Sequence, residues 1–241
     1  MRLLFIRHGD PDYEKDSVTK KGAREVELLA DRLAHEEIAA FYLSPLGRAQ
    51  VTAQATLSRL GRAGITCDWL REFDGTVTDP QTGEKRIFWD FLPSFLEEYP
   101  ALYSPDGWQS VPFVRGSDVP RKYAEVCRGL DGVLAAHGYE RQGRHYAAVH
   151  PNRGTLVFFC HFGVTCVMLS HLFNLSPVPL LQHFAAAPSS VTAVYTEERR
   201  EGVAQFRCAS FGDVSHLYAA KEPPSFSARF CETFDSDERH D

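Results

Sequence analysis

Short apolar runs alternate along the chain with stretches in which apolar residues recur at helical spacing. Residues 3–6 form an uninterrupted apolar run, which predicts a buried strand. Val26, Leu29 and Leu33 then recur at i, i+3 and i+7, which predicts an amphipathic helix with Thr19 as its N-cap. Apolar runs of strand length also occupy residues 39–43, 65–70 and 156–160.

The rest of the pattern predicts further helices and a hairpin. The predicted helices run from Ser44-Pro45 to Leu60, from Ser117 or Asp118 to Gly138, and over residues 164–173. Residues 191–195 and 203–208 predict two strands joined by a turn. Because parallel strands need crossover connections, the alternation predicts an α/β fold with a mostly parallel central sheet flanked by helices on both faces.

Three stretches depart from this alternation. Residues 74–117 are rich in aromatic residues, Pro and Gly, and we interpret them as an insertion over the active-site end of the sheet. Residues 139–153 predict a small hairpin or an irregular excursion. The tail, about residues 219–241, has three phenylalanines at helical spacing, which favours packing against the domain. We therefore predict a single domain over residues 1–241.

Composition and charge narrow the functional classes. The chain has 241 residues, of which 44% are hydrophobic and 24% charged, as in ordinary globular proteins. Its net charge of −6 argues against nucleic-acid binding driven by overall charge. No apolar run approaches the roughly 18 residues of a membrane span. Six cysteines without a CxxC pair predict reduced thiols in a cytoplasmic protein rather than a zinc site.

Polar residues follow several of the predicted strands, at the end of the sheet where α/β proteins bind ligands. Arg7 and His8 follow the first strand, Arg48 lies just beyond the second, Glu72 follows the third, and His161 follows the run that ends at residue 160. Two guanidinium groups suit a phosphate, a neutral histidine can attack phosphorus, and a carboxyl can protonate the leaving oxygen. The set therefore predicts phosphoryl chemistry without a metal ion or other cofactor.

The same residues lie in segments that together resemble one known family. Arg7-His8-Gly9 resembles the signature of the histidine phosphatase superfamily, also called the phosphoglycerate mutase-like family. The matching segments are Val18 to Gly22, similar to its "LTxxG" helix start, Leu43 to Ala53, similar to "SSPLxRAxxTA", Leu70 to Gly75, similar to its acid/base segment, Phe159 to Gly163, similar to the end of its second-histidine strand, and residues 189–192 and 212–217, similar to its last hairpin and exit. The resemblance covers roughly residues 1–75 and 155–217.

The resemblance implies a role for each of five residues. His8 would be the nucleophile that becomes phosphohistidine. Arg7, Arg48 and His161 would hold the phosphoryl group together with His8. Glu72 would donate a proton to the leaving group and then activate water. The implied enzyme is a histidine acid phosphatase-type phosphoric monoester hydrolase that needs no metal and acts on a small phosphorylated substrate, without nucleic-acid or membrane partners.

The sequence departs from the family pattern in two places, and it leaves alternatives open. Asp10 and Asp12 lie where many members carry Ser, Thr or Asn, and Phe162 follows the second histidine where many have Gly. Asp74 competes with Glu72 as the proton donor. A phosphoglycerate mutase-type phosphotransferase and a catalytically silent binding module on this fold are the alternatives to a phosphatase. The segment after Glu72 is not basic, which favours hydrolysis.

Overall fold

The computed structural model describes residues 1–227 and 229–240. The strands are β1 (Arg2–Arg7), β2 (Pro11–Asp12), β3 (Ser17–Val18), β4 (Ala40–Leu43), β5 (Ile65–Thr66), β6 (Thr76–Thr78), β7 (Lys85–Ile87), β8 (Tyr139–Gln142), β9 (His145–Ala148), β10 (Thr155–Cys160), β11 (Val191–Arg200) and β12 (Val203–Asp213). The α-helices are α1 (Lys20–Leu33), α2 (Gly47–Leu60), α3 (Pro93–Glu97), α4 (Pro112–Arg115), α5 (Val119–Ala136), α6 (Phe162–Phe173), α7 (Pro177–His183) and α8 (Ser215–Ala219). Short 3₁₀ helices cover Asp68–Leu70, Pro100–Tyr103 and Trp108–Ser110.

The central sheet has eight strands in the order β5-β4-β10-β1-β11-β12-β9-β8. Strands β5, β4, β10 and β1 are parallel, whereas β1 to β11 and every pairing beyond it is antiparallel. The sheet is therefore mixed, and the prediction of a mostly parallel sheet is wrong. The reason is the length of the connections: two residues separate β11 from β12 and two separate β8 from β9, which is too short for a parallel crossover.

Helices cover both faces of this sheet, as the alternation of strands and helices predicts. The side chains of β1 alternate between the two faces. Leu4 and Ile6 pack in a cluster with Leu29 of α1 and Leu57 of α2. Leu3 and Phe5 belong to the larger cluster on the opposite face, which includes residues of α5 and α6. All six residues of β10 are buried, as expected for a central strand covered on both sides.

Two element boundaries differ from the sequence-based expectation near the site. Helix α2 begins at Gly47 with Leu46 as its N-cap, so the start at Ser44-Pro45 is wrong by two residues. The Ser44 hydroxyl accepts the Leu46 amide at 3.2 Å and also pairs with the His161 ring, with an Oγ to Nε2 distance of 2.7 Å. The strand predicted over residues 65–70 is only Ile65–Thr66, and a 3₁₀ turn replaces the remainder.

The aromatic residues of segment 74–117 contribute to the larger core cluster. Phe88, Phe91, Phe95 and Trp108 are buried there, and the segment forms a small hairpin of β6 and β7 followed by short helices. These aromatic side chains therefore form part of the core on this face of the sheet. The hairpin of residues 139–153 is also present, and it joins the edge of the central sheet through β9.

The tail is held by separate polar contacts rather than along a helical face. Phe230 and Phe234 are exposed, and the described part of the tail carries no helix beyond α8, so the predicted packing of this phenylalanine stripe is wrong. Instead, the fully buried carboxylate of Glu25 accepts the amide hydrogens of Asp10 and Ser225 at 2.9 and 3.1 Å. In the described residues, no helix has the length and apolar character to cross a membrane.

Two glycines of α5 offer a test of how this helix packs against the 3₁₀ turn that contains Trp69. A Cβ at Gly129 would lie 2.3 Å from the Trp69 ring, whereas a Cβ at Gly132 would meet nothing within 4 Å. We expect Gly129→Ala to lower the free energy of unfolding by about 1–3 kcal/mol through overpacking. Gly132→Ala should raise it by about 0.5–1 kcal/mol through helix propensity. Urea unfolding of both variants checks this, and equal effects would contradict the packing described.

Candidate active site

Two histidines lie side by side at the carboxyl ends of neighbouring parallel strands. β1 pairs in parallel with β10, and Arg7 lies opposite Cys160, so the residues that follow both strands are neighbours. The amide of His8 donates to the Cys160 carbonyl at 3.1 Å. The ring centroids of His8 and His161 are 5.1 Å apart. Both rings are buried, with 3% and 0% of the residue surface exposed.

The His8 ring has one nitrogen engaged and one available. Its Nδ1 lies 2.8 Å from the carbonyl oxygen of Gly9, and since a carbonyl only accepts, Nδ1 is the protonated nitrogen. Burial and the neighbouring Arg7 guanidinium lower the pKa of His8 to about 3. The imidazole is therefore neutral at physiological pH, and Nε2 has a free lone pair.

Gly9 and Thr52 fix the peptide that orients this ring. The Gly9 amide donates to the Thr52 hydroxyl at 3.0 Å, and that hydroxyl donates to the Arg48 carbonyl at 2.7 Å. A Cβ at Gly9 would lie 2.8 Å from the Val26 side chain, so only glycine fits here. Thr52 is fully buried, and its supporting role is one that the sequence analysis missed. Its place in the resembled "RAxxTA" segment is the signal that could have indicated it.

Arg7 and Arg48 approach the histidines from different elements. Arg7 ends β1, is buried, and donates from Nη1 to the Ala186 carbonyl. Arg48 lies in the first turn of α2 and donates from Nη1 to Asp16 at 2.7 Å. The buried Nε atoms of both guanidinium groups have no hydrogen-bond partner in the described part of the chain. These N–H groups are available to an anion.

Asp16 is the second residue that the sequence analysis missed. One of its carboxylate oxygens accepts from Arg48, and the other accepts the Gly47 amide at the start of α2 at 2.6 Å. Its backbone is left-handed, with φ of 45°. These donors hold the pKa of Asp16 below its usual range although partial burial opposes them. No sequence pattern signals this contact, because it depends on how the turn of residues 13–17 folds over α2.

Asp10 and Asp12, which depart from the family pattern, point to other partners. The Asp10 carboxylate accepts the Thr19 hydroxyl at 2.6 Å, and Asp12 pairs with Lys15 at 2.9 Å. Lys15 holds the pKa of Asp12 below its usual range. Neither carboxylate is therefore a free negative charge facing the histidines.

His161 is the most enclosed of the five predicted site residues. It is the N-cap of α6, and its Nε2 pairs with the Ser44 hydroxyl. Its buried Nδ1 has no partner among the residues that the structure describes. Burial lowers the pKa of His161 well below its usual value, and His8, Arg48 and Arg7 add to this effect. The ring is therefore neutral in the absence of an anion.

Glu72 lies beside His161 because its carboxylate binds the start of α6. Its Oε1 accepts the amides of Phe73 and Val164 at 2.8 and 3.1 Å. A Cβ at Gly163 would lie 2.7 Å from this oxygen, so glycine allows the close approach. Burial raises the pKa of Glu72, although the amides and Arg7 oppose the shift. A raised pKa is the property that a proton donor needs near neutral pH.

Asp74, the competing candidate for proton donor, is placed differently. Its side chain is exposed and forms an ion pair with Lys122 of α5 at 2.6 Å. The structure therefore brings Arg7, His8, Arg48, Glu72 and His161 together and leaves Asp74 at the surface. Residues 1–227 and 229–240 contain no group of three or more His, Cys, Asp or Glu side chains that could hold a metal ion. The five-residue arrangement can bind an oxyanion and supply a nucleophile and a proton.

Comparison with protein families supports the resemblance found in the sequence. Residues 3–112 match the model of the histidine phosphatase superfamily (branch 1). This segment includes Arg7, His8, Arg48 and Glu72. The superfamily assignment made from the sequence is thereby confirmed. The search of curated proteins found no significant match.

Solved structures of phosphatases share the fold at low sequence identity. A variant of the phosphoserine phosphatase of Entamoeba histolytica has a TM-score of 0.59 and 17% identity, covering 90% of this chain and 98% of that chain. A mycobacterial glucosyl-3-phosphoglycerate phosphatase has a TM-score of 0.58 and 19% identity, covering 88% and 98%. The α-ribazole phosphatase of Shigella flexneri has a TM-score of 0.53 and 20% identity, covering 86% and 95%.

The buried neutral state of His8 predicts a dependence of stability on pH. Its pKa is about 3 in the folded protein and about 6.5 in the unfolded chain. Between these values only the unfolded chain binds the proton, so this group makes the protein less stable as the pH falls from 6.5. We expect His8→Asn to reduce that slope by up to about 1.4 kcal/mol per pH unit. Urea unfolding between pH 7 and 4.5 measures it, with the exposed His150→Asn as control, and an unchanged slope in His8→Asn would contradict the assignment.

Proposed function

We propose that the protein is a metal-independent phosphomonoesterase that hydrolyses a small phosphorylated metabolite through a phosphohistidine intermediate on His8. The observation that carries this proposal is the His8 ring, whose Nδ1 is bound to the Gly9 carbonyl and whose neutral state leaves Nε2 as a nucleophile. The unpartnered Nε–H groups of Arg7 and Arg48 support it, because guanidinium groups suit the oxygens of a phosphate.

The first half-reaction transfers the phosphoryl group to the enzyme. Arg7 and Arg48 bind the phosphate oxygens, and the His8 Nε2 lone pair forms a bond to phosphorus as the ester P–O bond breaks. Glu72, whose pKa is raised by burial, gives its proton to the leaving oxygen, so the product leaves as a neutral alcohol. The two guanidinium groups supply the positive charge that a metal ion would otherwise supply.

The second half-reaction returns the enzyme to its starting state. The Glu72 carboxylate now accepts a proton from water, whose oxygen attacks phosphorus as the bond to Nε2 breaks. Inorganic phosphate leaves, and Glu72 is again protonated. His161 is neutral before substrate binds, and a dianionic phosphoryl group beside its unpartnered Nδ1 favours uptake of a proton there. A protonated His161 then stabilises the charge on the phosphoryl oxygens.

Hydrolysis is favoured over the two alternatives. A mutase must bind a second anionic group of its substrate, but the residues after Glu72 are the buried Phe73 and the acidic Asp74. A silent binding module does not need the complete set of nucleophile, phosphate donors and acid. The similar solved structures described above are named as phosphatases of phosphoserine, glucosyl-3-phosphoglycerate and α-ribazole, in line with an ester hydrolase.

The wider setting of the site forms part of the proposal. We propose one domain over residues 1–241, in which segment 74–117 covers part of the active-site end. Trp89 of this segment supports that position, because its ring would lie 2.8 Å from a Cβ at Gly163, beside Glu72. A cytoplasmic location is supported by the six cysteines, all of which are free thiols.

The first prediction of this proposal concerns the nucleophile. We expect His8→Asn to lower kcat for aryl phosphate hydrolysis by at least about 10⁴-fold, because the asparagine amide cannot take the phosphoryl group. The wild type should be fully active with a strong chelator present, and acid-labile, base-stable phosphate should be trapped on it but not on the variant. Phosphate release within about tenfold of wild type, only 1.4 kcal/mol in barrier, would contradict the role of His8.

The second prediction separates Glu72 from Asp74 as proton donor. Glu72→Gln keeps the shape but has no acidic proton, so hydrolysis of an alkyl phosphate should fall by roughly 10²–10⁴-fold. The loss should be much smaller for an aryl phosphate, whose leaving oxygen needs little protonation. Asp74→Asn is the matched control and should change neither rate by more than about twofold. Equal losses on both esters in Glu72→Gln would remove the acid role from this residue.

A further inference from the structure

A cleft opens beside Glu72, between residues 68–74 and the middle of α5. Its volume is about 470 Å³, which lies within the range of about 300–1,000 Å³ that holds small organic ligands. Glu72 forms part of its wall together with the 3₁₀ turn that precedes it and the helical segment 122–129. The phosphate-binding arginines Arg7 and Arg48 do not line it.

The floor of this cleft is apolar and flat. It is formed by Trp69, Phe73, Val126 and Gly129. Three atoms of the Trp69 ring would lie 2.3 to 2.5 Å from a Cβ at Gly129, so the face of the indole lies against the helix backbone. Phe73 and Val126 are buried beneath the opening. Burial of an apolar group against this surface is favourable, whereas a polyol would gain little from contact with it.

The rim of the cleft carries charges that balance. Its cationic residues are Arg71, Lys122 and Arg128, and its anionic residues are Asp68, Asp74 and Glu125. Lys122 is already paired with Asp74 at 2.6 Å and with Asp118 at 2.8 Å, and Glu125 is paired with Arg121 at 3.3 Å. Counted over all six side chains, three are cationic and three anionic, so the rim has no net positive charge that would favour a carboxylate or a second phosphate.

We infer that this cleft binds the leaving alcohol of the substrate, and that this alcohol is uncharged and largely apolar. The inference rests on the proposed function, since a carboxyl that protonates the leaving oxygen must touch it. In an in-line displacement the alcohol leaves on the side of phosphorus opposite His8, and the cleft with Glu72 in its wall would receive its body. The apolar floor and the balanced charges of the rim favour an alcohol that is uncharged and largely apolar.

The test compares esters with similar leaving oxygens but different bodies. The substrates are ethyl phosphate, 2-phenylethyl phosphate and 3-carboxypropyl phosphate. The blocking variant is Glu125→Trp, which places an indole on an exposed position of the rim. Arg121→Trp is the matched control, because it lies one turn earlier on α5, does not line the cleft, and breaks the same Arg121–Glu125 ion pair.

We expect the wild type to hydrolyse 2-phenylethyl phosphate with a kcat/KM at least about tenfold above that of the other two esters. Glu125→Trp should bring the ratio of phenylethyl to ethyl ester close to one while leaving ethyl phosphate within about twofold of wild type. Arg121→Trp should preserve the wild-type ratio.

Two kinds of result would overturn the inference, and they are distinguishable. Equal rates on the three esters, a preference for the carboxylated ester, or an unchanged ratio in Glu125→Trp would refute the cleft as the alcohol site while the phosphatase stands. Absence of hydrolysis of every ester by the wild type would refute the proposed function and, with it, this inference.

Discussion

The parallel pairing of β1 with β10 is the constraint on which the rest of the site depends. With Arg7 opposite Cys160, the chain leaves both strands at the same level and places the two imidazoles 5.1 Å apart. A shift of one residue in this register would turn one ring to the opposite face of the sheet. The fully buried β10, enclosed by apolar clusters on both faces, prevents such a shift. The long-range fold therefore sets a distance that no local sequence motif can set.

Burial away from water then shifts the pKa values of the two histidines and of Glu72. Burial lowers the pKa of both histidines, so their rings are neutral in the unliganded protein, and it raises the pKa of Glu72. The arginines remain charged under the same burial because of their high intrinsic pKa. The result is a pocket in which two guanidinium groups lie close to two neutral imidazole rings.

The sequence predicted the parts of this site that have local signals. The strand before His8, the helix capped by Thr19 and the clustering of five polar residues at strand ends all follow from periodicity and position. It did not predict the two-residue strand β5, the helix start at Gly47, or the pairing of the Ser44 hydroxyl with His161, which lies far away in sequence. Asp16 and Thr52 were missed for the same reason: each acts through a tertiary contact. The sheet is mixed because it contains hairpins. The sequence indicated these hairpins but did not indicate which strands of the sheet they pair with.

The buried carboxylate of Glu25 links two distant parts of the chain at one residue. One oxygen accepts the Asp10 amide, directly after the glycine whose carbonyl binds the His8 ring, and the other accepts the Ser225 amide. Loss of the segment around Ser225 would leave half of a buried carboxylate without a donor, at a cost of roughly 1–3 kcal/mol. Proteolytic cleavage or a fusion made before Ser225 would therefore affect the loop that follows β1, although neither change contacts that loop. A truncation from the C-terminal end should therefore stop after Ser225, so that this residue and the sequence before it are retained.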